Sequence, residues 1–74
     1  MYYIYQTKAG TFTIIQKKGR WHIIYQDEDL GSYINPQQAA ADLSGGHTFS
    51  LSNGLDPAAL QIPEDLNEWQ IKYS

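Results

Sequence analysis

The 74-residue sequence contains no cysteine, so no disulfide can brace it and no thiolate can hold zinc. No segment approaches the ~20 consecutive apolar residues that a membrane-spanning helix needs. Its first residues, Met1-Tyr2-Tyr3-Ile4-Tyr5, offer neither a cationic leader nor a cleavage site, so a signal peptide is not expected and a cytoplasmic location is. Positive charge is scarce: 5 Lys and Arg stand against 8 Asp and Glu, a net of −3. Nucleic-acid binders of this size are usually strongly basic, which counts against that class. A nucleophile elbow, a phosphate-cradling glycine loop before a helix and a calcium-type alternation of acids are all missing. Asp27-Glu28-Asp29 is too short a run for a calcium loop and reads as a solvated turn.

What is present is apolar and aromatic. Hydrophobic residues make up 42% of the chain, enough for a folded core and too many for a disordered tail. The length allows a single domain, residues 1–74, with a thin core. Charge is divided along the chain. Lys8, Lys17, Lys18 and Arg20 precede every acid, and Lys72 is the only cation after them. The two halves can attract each other within one fold, or the basic edge can touch an acidic partner or phosphate.

Tyr2–Thr7, Thr11–Gln16 and Trp21–Gln26 are three β runs with tight connections, a meander. A two-residue loop at Lys18-Gly19 sets Gln16 against Trp21, Ile14 against Ile23 and Phe12 against Tyr25. A loop at Ala9-Gly10 sets Tyr5 against Ile14 and Tyr3 against Gln16. One face then carries Tyr3, Tyr5, Phe12, Ile14, Trp21, Ile23 and Tyr25 and is expected to meet a helix. The other carries Tyr2, Ile4, Thr13, Ile15, Arg20, His22 and Ile24. Ile4, Ile15 and Ile24 are expected to form a line across it, covered in part by the C-terminal segment or by a partner.

Leu30–Ile34 leads into the one clear helix. Asn35 can cap it, Pro36 suits its first position, Gln38 completes a capping-box spacing, and Ala39, Ala40 and Leu43 form its inner stripe. Gly45-Gly46 ends it. His47–Ser52 is a weak strand candidate, Asn53-Gly54 a turn, and Asp56 a cap for a helical turn through Leu60. Another turn begins at Pro63–Leu66, and Trp69, Ile71 and Tyr73 alternate as in a final strand with one buried side. The expected fold class is α+β: a small antiparallel sheet, made of the three-stranded N-terminal meander plus one or two short strands, with one short helix packed on one face.

Catalysis finds little support. His22 sits in a strand as a packing residue and His47 in a loop, and two histidines without cysteine do not make a zinc set. The expectation is a non-enzymatic chain that needs no cofactor. Six tyrosines, two tryptophans and two phenylalanines, by contrast, are many for so small a sheet. Tyrosine hydroxyls want water or a hydrogen-bond partner, and tyrosine and tryptophan are enriched where proteins bind one another.

The residues Trp21, Leu30-Gly31-Ser32-Tyr33, Pro36, Ala39-Ala40, Leu43, Gly46, Thr48, Ile62–Leu66 and Trp69 resemble a pattern in small uncharacterised bacterial proteins, which implies no activity. The order Trp21, Gly31, Tyr33, the helix from Pro36 to Leu43, Gly46 and Trp69 is similar to bacterial GYF-like domains, although Ser32 stands where proline is usual and Tyr2–Thr7 is an extra strand. That resemblance implies an adaptor binding proline-rich or extended peptides on Trp21, Tyr25, Tyr33 and Trp69. Three strands followed by a helix also resemble the arm-type DNA-binding domain of tyrosine integrases, which implies phosphate contacts from Lys17, Lys18 and Arg20 at a hairpin tip. The leading expectation is protein or peptide binding, with nucleic-acid binding, or a domain whose contacts are only with itself, as alternatives and a second copy of the chain as a further candidate partner.

Overall fold

The computed structural model describes residues 1–46 and 57–73. The weak strand at 47–52, the Asn53-Gly54 turn, the Asp56 cap and His47 lie outside the described residues.

Three tight turns build a four-stranded meander: β1 (Tyr2–Thr7), β2 (Gly10–Lys17), β3 (Arg20–Tyr25) and β4 (Glu28–Tyr33). A fifth strand, β5 (Gln70–Lys72), pairs with the free side of β1, giving the order β4-β3-β2-β1-β5, antiparallel throughout. The expected α+β architecture is present, with a sheet of five strands. At the second turn both Lys18 (φ 53) and Gly19 (φ 80) are left-handed, as a type I′ hairpin requires. The register follows as expected, with Gln16 opposite Trp21, Ile14 opposite Ile23 and Phe12 opposite Tyr25.

The first hairpin differs. Its loop is Lys8-Ala9, so Tyr5 faces Phe12 and Tyr3 faces Ile14. The Thr7 hydroxyl holds this turn, accepting from the Ala9 amide at 3.0 Å and donating to the Gly10 carbonyl at 2.9 Å. Gly10 supplies its positive φ as the first residue of β2 rather than inside the loop. A shift of two residues preserves which face each side chain occupies. The third turn is Gln26-Asp27, both at positive φ; of the run read as a turn, Asp27 lies in it while Glu28 and Asp29 open β4. No glycine marks that turn. A bulge opposite Ile23, at Leu30-Gly31, also breaks the alternation that would reveal the strand.

Helix α1 (Pro36–Ser44) begins at Asn35, whose side-chain oxygen accepts from the Gln38 amide at 2.7 Å. Ala39, Ala40 and Leu43 are fully buried against Tyr3, Phe12, Ile14, Ile23, Tyr25 and Leu30. The small alanines let the helix axis approach β2, β3 and β4. Short 3₁₀ turns at Pro57–Leu60 and Leu66–Glu68 pack beside α1, and Ile62 and Trp69 complete the core. The helix and the C-terminal wrap thus load the same face of the sheet.

Candidate functional site

The four aromatics expected to form a peptide shelf are divided by burial. Tyr25 is 1% exposed; it stacks on Phe12 with ring centroids 4.5 Å apart, and its hydroxyl donates to the Ala9 carbonyl. Trp69 is 4% exposed, packs on Tyr5 at 5.6 Å and donates its indole N–H to the Pro63 carbonyl at 2.8 Å. Neither ring can offer its face to a ligand, because each already has an aromatic partner and a satisfied polar atom. Trp21 and Tyr33 are half-buried and sit opposite each other on β3 and β4. Trp21 leans on Tyr3 at 6.1 Å, while Tyr33 turns toward α1 and hydrogen-bonds Asp42. Burial, and then the Asp42 charge and hydrogen bond, push the Tyr33 phenol above its ordinary value. The structure therefore brings Trp21 and Tyr33 together and withdraws Tyr25 and Trp69 into the core. The alternation of Trp69, Ile71 and Tyr73 also buries only its first member: Ile71 is 42% exposed and Tyr73 79%, since α1 packs on β2, β3 and β4 rather than over β5.

The second face of the sheet has a different character. Cross-strand pairing sets Gln70, Ile4, Thr13, Ile24 and Asp29 in one row and Lys72, Tyr2, Ile15, His22 and Ser32 in the next, with Lys17 and Arg20 beyond. The three isoleucines form a triangle rather than a line, because Ile15 lies one row from Ile4 and Ile24. Tyr2, Ile4, Ile15 and Ile24 are half-buried and stand outside the core cluster. Of the C-terminal segment, one of the two covers expected for this face, the described residues Leu60, Ile62, Leu66 and Trp69 pack on the opposite side. Among the described residues no helix lies over it.

The cations fall on this face by register. Lys17, Arg20 and Lys72 share it with the isoleucines, and Lys18 caps the hairpin beside them. None of the four is ion-paired among the described residues; Arg20 donates instead to the hydroxyl of Ser32 at 3.2 Å and to its carbonyl at 3.4 Å. The one acid on this face among the described residues, Asp29, is engaged twice: it accepts from the Gly31 amide at 3.0 Å and pairs with Nδ1 of His22 at 2.7 Å. The expected cation cluster Lys17, Lys18 and Arg20 is present at the hairpin tip, and Lys72 joins it across the sheet. Lys72 was not legible as a member, since its place depends on the β1–β5 register. The His22–Asp29 pair was equally hidden, because the two are joined only by the β4 bulge that moves Asp29 opposite Ile24.

Ser32 is the cross-strand neighbour of His22, and its hydroxyl accepts from Nε of Arg20 at 3.2 Å. No group of three or more metal-binding side chains occurs among the described residues. A depression of about 320 Å³ lies between Tyr5–Lys8 and Ala59–Gln61. No described helix is long and apolar enough to cross a membrane. No protein-family model, curated protein or solved structure matches the chain.

Proposed function

We propose that this chain is a non-enzymatic protein-binding domain and that its recognition surface is the open face of the sheet. The observation that carries this is the one-sided loading of the fold among the described residues: the eleven described core residues belong to the helix-covered side, while Tyr2, Ile4, Ile15 and Ile24 remain half-exposed on the other. Contiguous apolar surface of this kind, rimmed by charge, is typical of interaction sites. The buried state of Tyr25 and Trp69 moves the binding surface away from a GYF-like shelf. Nucleic-acid binding remains the second reading, favoured by the joining of Lys72 to Lys17, Lys18 and Arg20. The open face nevertheless has one tyrosine on which a base could stack, and the stacking platforms of single-strand binders use several aromatics.

The test is residue-specific photo-crosslinking in cells. A benzophenone side chain at Thr13, on the open face, should give adducts with a protein, competed by excess unlabelled chain and lost when Ile24→Asp is added. The same group at Gln37, on the outer side of α1, is the control. Adducts at Gln37 with none at Thr13, or adducts with nucleic acid alone, would remove the proposal.

A further inference from the structure

Resting on the reading of the open face as a protein-binding surface, we infer that its occupant is an acidic amphipathic helix. Two features of the face select this chemistry.

The first is backbone satisfaction. Every strand whose residues form the apolar patch, β1, β2 and β3, is paired on both sides. Its amide and carbonyl groups are therefore spent within the sheet. An extended peptide laid on this face would bury its own N–H and C=O groups with no partner, at a cost that apolar contact offsets poorly. A helix carries its backbone hydrogen bonds internally and presents only side chains. The opposite face shows this solution in the same molecule, where α1 seats Ala39, Ala40 and Leu43 on the sheet.

The second is charge. The apolar patch is bordered on its β5 side by Lys72 and at its hairpin end by Lys17 and Arg20. By strand spacing and rise, Lys72 and Lys17 stand about 12 Å apart. That span is about eight residues of helix, so carboxylates two turns apart on the flank of an apolar stripe reach both cations. The cations have no carboxylate partner among the described residues, and the one acid on the face is turned to His22 and the Gly31 amide. A basic helix would face these cations without compensation. A second copy docking face to face would bring Lys17, Arg20 and Lys72 of both copies into one interface with only Asp29 of each as a described acid, so self-association through this surface is disfavoured. The remaining described acids, Asp27, Glu28, Asp42, Glu64, Asp65 and Glu68, belong to a turn, the helix-covered side of β4, α1 and the C-terminal wrap. A negative partner is thus repelled elsewhere and drawn to this face.

The experiment uses the full chain, labelled with ¹⁵N, and three side-chain-stapled helical peptides of three turns. One has a leucine stripe with glutamate flanks, one the same stripe with lysine flanks, and one the glutamate flanks with serine in the stripe. A twelve-residue oligothymidine is the fourth probe. The glutamate-flanked leucine peptide should shift the amides of Tyr2, Ile4, Ile15, Ile24, Lys17 and Lys72, bind at least about tenfold more tightly than either other peptide, and weaken with salt. The triple variant Lys17→Glu/Arg20→Glu/Lys72→Glu, checked for folding by circular dichroism, should reverse the preference between the glutamate and lysine flanks. Equal binding of both leucine peptides at the open face would overturn the acidic helix and leave the protein-binding surface standing. Failure of all three peptides to shift open-face amides would overturn the helix. If oligothymidine alone shifts them, the cations read phosphate and both proposals fall.

Discussion

The ring of Tyr33 folds back onto the backbone of Gly31, two residues earlier in the same strand. A β-carbon at Gly31 would lie 3.2 Å from the Tyr33 hydroxyl and 3.3 Å from its ring, and Gly31 holds a φ of +142° that side chains rarely adopt. Gly19, at φ +80°, has open space around it. Gly19→Ala should therefore cost about 1 kcal/mol, the backbone term alone. Gly31→Ala should cost more, about 2 kcal/mol or above, since strain and displacement of Tyr33 act together. Urea midpoints of the two variants give the comparison, and equal losses would mean that the ring yields freely.

Tyr33 also ties stability to alkaline pH. Its folded value lies above the ordinary 10.0, through burial first and the Asp42 charge and hydrogen bond second. The protonated phenol is the form the fold favours. Its contribution is whole below pH 10 and is lost above it, as the pH climbs through the folded value. Wild type should thus lose stability in that window faster than Tyr33→Phe, and Asp42→Asn should lower the Tyr33 ionisation followed by absorbance at 295 nm. An unmoved titration in Asp42→Asn would show that the carboxylate does not reach the phenol.

Leu43 is fully buried between α1 and the sheet. Leu43→Ala should cost about 2–5 kcal/mol. Against a total of roughly 4–11 kcal/mol at ~0.05–0.15 kcal/mol per residue, that is a large share of the stability and should lower the melting temperature markedly. A thermal melt close to wild type would place the helix elsewhere.

Single-tryptophan variants separate the two indoles. In Trp21→Phe the remaining Trp69 should emit at short wavelength and resist acrylamide, as its 4% exposure requires. In Trp69→Phe the remaining, half-buried Trp21 should be quenched more readily. Free quenching of Trp69 would restore it as a candidate contact residue.

The parts of this fold that were legible in the sequence are those specified locally. Lys18-Gly19 determines a hairpin by backbone conformation, and the pairing of Phe12 with Tyr25 follows residue by residue. Asn35-Pro36 likewise determines a helix start. The first hairpin's loop lies one residue earlier than expected, shifting the register by two, because a threonine hydroxyl, not a glycine in the loop, holds the turn. β4 was obscured because Gln26 and Asp27 adopt left-handed conformations without glycine, and because the bulge interrupts its pattern. The proposed binding surface was half legible. Alternation assigned Ile4, Ile15 and Ile24 to one face, and the cation run at the hairpin tip stood out in the sequence. Which aromatics would be sealed depended on where the C-terminal wrap docks, a long-range choice that spacing does not encode. The same choice brings Lys72 beside Tyr2.

The pairing of β1 with β5 has a consequence for how this domain can be joined to others. Tyr2 and Lys72 are cross-strand partners at one side of the sheet, so the described chain forms a nearly closed circuit. A linker of a few residues would complete that circuit. The backbone could then be cut at the solvent-exposed Lys18-Gly19 turn, giving a circular permutant with the same five-stranded order. The same adjacency allows the domain to be spliced into a surface loop of a host protein with little spreading of the loop ends, leaving both faces of the sheet clear of the junction.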